Sequence, residues 1–194
     1  MRVSKAQQAK NKERVVAAAA RLLRERGVEG VGVDALATAA GLTHGAVYSH
    51  FAGKDDLAAA AVAHALADAM RQWRADADKA GAPGSAAHFN RLVRAYVSRA
   101  HRDNPGTGCA VAAMAPDATR HGRKVRRAFS SHIEKMVENF AAESAGATDE
   151  ARREEAMATI ATMVGAIVLA RAVEDRALSD RILLTARRKL MRPE

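Results

Sequence analysis

The chain has 194 residues, 48% of them apolar and only 4% aromatic, which is enough apolar surface for a sizeable core and excludes a disordered chain. Ala dominates the apolar count while Gly and Pro fall in few places, so helices are favoured over a β-rich fold. The net charge of +9 is unevenly placed: residues 1–54 hold nine Lys/Arg against four acids, and that basic quarter is expected to face an anionic partner.

Residues 11–26 read as a first helix, with Val15, Ala19, Leu22 and Leu23 on one face and Gly27 as its C-cap. After a Val/Gly-rich link, residues 33–40 form a short helix, Gly41 breaks it, and residues 44–50 form another. Residues 54–80 make a long helix carrying Leu57, Ala61, Leu66, Met70 and Trp73, ended by Gly81-Ala82-Pro83-Gly84. Ser85 is placed to cap a helix running to residue 102, which Asp103-Asn104-Pro105-Gly106 stops. A short helix over 109–114 follows, then a long one over 117–144. Thr148 is expected to cap a helix reaching residue 174, and Ser179 a last helix reaching residue 191. The fold class is therefore all-α, with about nine helices. A three-helix helix-turn-helix unit over residues 1–53 precedes a larger helical domain over residues 54–194.

The helix over 148–174 carries more apolar surface than one neighbour covers: Met157, Ile160, Val164 and Ile167 line one face, and Met163, Leu169 and Val173 a second. Ile182, Ala186 and Leu190 give the last helix a similar stripe. Two copies of this helix pair make a four-helix bundle between subunits, with Ile160, Val164, Ile167, Ile182, Ala186 and Leu190 as the expected dimer interface. Burial of the same helix at the centre of one subunit is the alternative.

The functional signal lies in residues 33–57. Leu36, Ala37, Ala40, Leu42, Val47 and Phe51 supply an apolar interior, and Gly41 supplies a turn where a Cβ crowds the left-handed conformation. His44 and Tyr48, four residues apart, share one helix face, with Gly45 and Ser49 beside them and Val47 turned inward. Thr43 begins the second short helix, where its hydroxyl can cap the helix or meet a phosphate. His44, Gly45, Tyr48 and Ser49 are the positions able to reach base edges in a major groove. Lys10, Lys12 and Arg14 add positive charge nearby.

This segment resembles the DNA-binding unit of the TetR family. The resemblance implies that Tyr48 serves the DNA backbone through its hydroxyl and that His50 and Lys54 clamp phosphates. Gly32 stands where a Ser or Thr often caps the first short helix, and Gly53 where a Ser often precedes the lysine; both lose a hydroxyl. Residues 108–114 and 164–173 look like the ligand-sensing half of some members. Membership implies a homodimer, a near-palindromic double-stranded operator and repression relieved by a small-molecule effector. The expected effector pocket lies among the middle helices, with Trp73, Phe89, Tyr96, Cys109, Met114, Phe129, Met136 and Val168 as candidates, because apolar, aromatic and Met side chains suit concave sites.

The lone cysteine, Cys109, excludes an intramolecular disulfide and fits a reducing compartment. It also opens an alternative, a regulator switched by oxidants or electrophiles at that thiol. His101, His121 and His132 lack close-spaced partners, so no metal is expected. No Gly-rich phosphate loop, nucleophile elbow or metal-hydrolase spacing is present, so neither enzymatic activity nor a cofactor is expected. No signal-peptide segment opens the chain, and the apolar run over 156–170 is interrupted by Thr159 and Thr162. That run is too short and polar to span a bilayer, so a cytoplasmic protein without membrane contact is expected.

Overall fold

The computed structural model describes residues 4–27, 30–79, 82–144 and 146–193, with the side chains of Tyr48 and Lys54 excepted. The described residues form α-helices and one 3-10 turn, with no strand among them.

Helix α1 (Lys5–Arg26) starts six residues before the point where apolar periodicity begins, because Ser4 accepts the Gln7 N–H on its Oγ and the next turns are built of helix-favouring Lys, Ala and Gln. Its Val15, Ala19, Ala20 and Leu23 are buried. Helices α2 (Val33–Ala40) and α3 (His44–Tyr48) flank Gly41 as expected, although α3 ends before His50. Helix α4 (Lys54–Lys79) packs along α1 and enters the larger body, burying Leu57, Ala58, Ala61, Val62, Ala65 and Leu66 in turn. It is the shared spine of both halves.

The expected helix over 85–102 is two helices. Helix α5 (Ala86–Tyr96) breaks at the buried Val97, and Ser98 caps a new start for α6 (Arg99–Asp103) by accepting the His101 N–H. A 3-10 turn over Pro105–Thr107 leads into α7 (Ala110–Ala118), which passes through Pro116 and outruns the expected end at Met114. The real break comes at Gly122, before α8 (Arg123–Ala141).

Helix α9 (Asp149–Ala172) begins at Thr148 as expected and lies between α8 and α10 (Arg176–Leu190). Over its 24 residues α9 is apolar and long enough, by composition alone, to cross a membrane, contrary to the shorter run read from sequence. In this fold Ala156, Ile160, Met163, Ala166, Ile167 and Ala170 are spent on the core of the chain itself. This corrects the expected interface: Ile160 and Ile167 point inward, and the apolar residues left outside are Met157 and Leu169, 48% and 57% exposed.

Ser179 is not a cap. Asp175 caps α10 by accepting the Ala177 N–H, while Ser179 is buried one turn in. Its hydroxyl donates to the Ala170 carbonyl at 2.6 Å and accepts from Arg102 at 2.8 Å. Burial of a hydroxyl demands such partners, and here they join α6, α9 and α10.

Candidate DNA-binding unit and effector cavity

Gly41 holds φ +64° and ψ 39°, and its turn is closed by the Gly41 N–H on the Thr38 carbonyl and the Leu42 N–H on the Ala37 carbonyl, both 3.0 Å. A side chain there is strained by the left-handed backbone. The guanidinium of Arg14 lies over the same turn, 2.9 Å from where a Cβ would stand. Leu36, Ala37, Ala40, Val47 and Phe51 are buried and Leu42 is half-buried, so the apolar set read from sequence does build the unit.

Thr43 caps α3 by accepting the Ala46 N–H on its Oγ1 at 3.3 Å. Thr43, His44, Gly45 and Ser49 are exposed, and His50 is half-buried with its ring edge-on to Phe51. Ser49 donates to the Ala46 carbonyl at 2.7 Å, which spends its proton within the helix. His44 Nδ1 stands 3.2 Å from an Asp34 carboxylate oxygen on α2. Lys12 Nζ sits 5.5 Å from the centre of the Phe51 ring, bringing positive charge from α1 to the edge of the unit. The side chains of Tyr48 and Lys54 lie outside the described residues. Gly32 leaves α2 without a side-chain cap, and at Gly32, Gly45 and Gly53 a Cβ would meet nothing within 4 Å.

The second feature is a cavity of about 310 Å³ between α4, α5, α6 and α8, closed on one side by the loop before α7. Four of the expected effector residues line it: Trp73, Tyr96, Cys109 and Met136. The other four do not. Phe89, Met114 and Phe129 are buried in the core, with the Arg192 guanidinium stacked 3.7 Å over Phe89, and Val168 packs partly buried on α9 away from the cavity. Helical periodicity marks these residues as inward, and inward is the core for most of them.

Polar groups missed by the sequence reading complete the wall. Gln72 and Asp76 share the Trp73 face of α4, and His132 and Asn139 share the Met136 and Phe140 face of α8; the i, i+4, i+7, i+8 spacing of His132, Met136, Asn139 and Phe140 is the signal that could have found them. The rings of Trp73 and Phe140 are 4.5 Å apart. His132 is buried, and desolvation, aided by Lys135, lowers its pKa to about 4, so the ring is neutral near pH 7.

His101 is fixed as one tautomer. Its Nδ1 donates to the Tyr96 carbonyl at 2.7 Å, and its Nε2 accepts the Cys109 N–H at 2.8 Å. Burial lowers its pKa, which keeps it neutral. The ring lies so close to Gly108 that a Cβ there would meet its Cδ2 at 2.7 Å, so this position requires glycine. Tyr96 stands edge-on to His101, 4.5 Å between centroids, and its hydroxyl is buried. Burial raises its pKa well above the usual phenol value, with Cys109 adding to the rise.

The two features are connected. Arg24 of α1, 8% exposed, donates to the carbonyls of Ala20 and Gly108 at 3.2 and 3.3 Å and pairs with Asp68 of α4 at 3.4 Å. Asp68 also meets His64 and Arg71.

Residues 15–61 match the family model described as bacterial regulatory proteins, tetR family. No curated protein sequence matches the chain. Among solved structures, a TetR-family transcriptional regulator from Cytophaga hutchinsonii superposes with a TM-score of 0.75 at 20% identity, covering 100% of both chains. A TetR transcriptional regulator from Chloroflexus aurantiacus gives 0.76 at 22% identity, covering 94% of this chain and 95% of that one. The reduced form of E. coli NemR gives 0.73 at 15% identity, covering 91% and 95%. The N-terminal unit therefore matches the tetR-family model, and the fold of the whole chain is that of solved TetR-family transcriptional regulators.

Proposed function

We propose that the protein is a homodimeric repressor that holds a near-palindromic operator through α2 and α3 and releases it when a small molecule fills the α4–α8 cavity. The observation that carries this reading is the Arg24–Gly108 contact, which ties the DNA-binding half to the cavity wall. His44 and Gly45 on the open face of α3, with Tyr48 and Ser49, read base edges, while Thr43, His50 and Lys54 hold phosphates. The working division is residues 1–53 for DNA and residues 54–194 for effector and partner subunit, in a cytoplasmic protein with no enzymatic role. The second copy covers the exposed Met157 and Leu169 of α9 and Leu178 and Leu184 of α10, with the partly buried Val164, Ile182, Ala186 and Leu190 at their edge. Trp73, Tyr96, Cys109 and Met136 are the effector contacts kept from the sequence reading.

Selection of random duplexes with the purified protein, followed by sequencing, tests the first half. Enrichment of an inverted repeat is the expected result, and enrichment of none overturns it. One further reading has its own observation: the Cys109 sulfur lines the cavity within electrostatic reach of Arg24 and Arg171, where it could add to an electrophilic carbon of a bound compound and release its proton. Operator release by a thiol-reactive compound that persists in Cys109→Ser rejects that reading.

A further inference from the structure

The charge of the cavity wall points to one class of effector. The chain as a whole carries +9, yet no Lys or Arg is among the described residues that line the cavity, and Asp76 is the only charged one. Asp76 is half-buried on α4, one turn from Trp73. Its Oδ1 accepts the Gln72 amide at 3.1 Å, and it forms no salt bridge with another described residue. The remaining polar lining is uncharged: amides at Gln72, Asn104 and Asn139, and the imidazoles of His101 and His132, which burial holds neutral. The apolar lining presents the aromatic rings of Trp73, Tyr96 and Phe140.

We propose, building on the effector reading of this cavity, that its ligand is an organic cation: a protonated or quaternary amine on an apolar or aromatic body, with Asp76 as its counter-ion. An anion entering here finds no Lys or Arg among the described lining residues, the Arg24 and Arg171 guanidiniums behind the wall being engaged by backbone carbonyls, and it faces the Asp76 carboxylate. A neutral molecule leaves that half-buried carboxylate with the Gln72 amide as its described partner and supplies no counter-charge. An ammonium group pairs with Asp76 and lies within reach of aromatic faces whose quadrupoles attract cations. The volume of about 310 Å³ sits at the small end of the usual range for ligand pockets, so a single-ring or two-ring amine fits better than an extended chain.

Trp73 is the sole tryptophan of the chain and lies in the cavity wall, so its fluorescence reports occupancy. Three probes share one body and differ in charge: 4-phenylbutylamine, 4-phenylbutanol and 4-phenylbutyrate. The amine is expected to titrate Trp73 about tenfold more tightly than the alcohol, and the carboxylate most weakly. In Asp76→Asn, which keeps the acceptor for Gln72, the amine should fall to the level of the alcohol while the alcohol is unchanged. Carboxylate binding as tight as that of the amine, or an amine preference that survives Asp76→Asn, overturns the proposal. Alcohol binding that the amine does not exceed rejects the cation and leaves the cavity as an effector site. If none of the three alters Trp73 emission at millimolar concentration, the effector reading of the cavity falls and this inference falls with it.

Discussion

Arg24 of α1 donates to the carbonyl of Gly108, 84 residues away in sequence, while its other nitrogen pairs with Asp68 of α4. Gly108 and Cys109 form part of the cavity wall, so one buried guanidinium touches the helix that supports the DNA-binding unit, the spine shared by both halves, and the loop that a ligand would press against. Arg24→Met keeps the apolar stem and removes every donor. It leaves the Gly108 carbonyl and the half-exposed Asp68 to water, so a loss of roughly 2 kcal/mol is expected, visible as a lower midpoint in thermal melts. If the contact transmits ligand binding, the variant at a temperature where it is folded should bind operator near normally and respond weakly to effector. An unchanged effector response would show that the contact is only structural.

On α3 the two predicted classes of DNA contact separate experimentally. His44→Ala removes a side chain exposed at the start of the helix and held beside Asp34. It should relax base preference at one position of each half-site, by about 1–3 kcal/mol of discrimination. Thr43→Ala removes the hydroxyl that caps α3, and it should weaken all sequences alike, with about 1 kcal/mol of helix stability lost besides. Competition binding at fixed salt, with one base pair of the selected site varied at a time, gives both numbers. Equal loss on every sequence for His44→Ala would remove it from the readers.

These residues were legible in the sequence because the helix-turn-helix is a local structure: Gly41, its flanking apolar set and the Thr43 cap all act within a few residues of one another. The same holds for Thr148 at the start of α9. Ser179 shows the limit. A Ser near a helix start reads as a cap, but this one bonds to Ala170 and Arg102, partners that only the packed chain supplies, and Asp175 takes the cap instead. The cavity was half legible for a related reason. Apolar periodicity marks Trp73, Tyr96 and Met136 as inward, but it marks Phe89, Met114 and Phe129 equally. Asp76, His132 and Asn139 are polar residues on the same helical faces, which a search for apolar stripes passes over.

His132 makes stability depend on pH in a definite direction. Its pKa is lowered from 6.5 to about 4 because burial penalises the charged ring. Below pH 6.5 the unfolded chain takes up a proton that the folded chain refuses, so stability present at neutral pH is lost as pH falls toward 4 and changes no further below that. The loss from this group is about 3 kcal/mol at most, and His101, shifted the same way, adds to it. His132→Leu should flatten the slope of stability against pH in this window, measured by urea unfolding at steps between pH 7 and 4. A slope identical to that of the parent protein would mean that His132 is protonated in the folded chain.

Leu169 and Ile167 are two residues apart on α9 and differ in exposure: Ile167 is fully buried in its own chain and Leu169 is 57% exposed. Periodicity alone could not separate them, because both faces of α9 are apolar. A charge at each tests the separation. Ile167→Asp places a carboxylate in the core with no partner, a cost of several kcal/mol that should unfold the protein outright. Leu169→Asp removes an outward apolar contact and, across a two-fold interface, sets the two copies' carboxylates into an apolar patch. It should leave the helical circular-dichroism signal intact while shifting sedimentation from dimer to monomer. Operator affinity should fall with it, since a monomer engages only one half-site. A Leu169→Asp protein that still sediments as a dimer would place the subunit contact elsewhere than the outer face of α9.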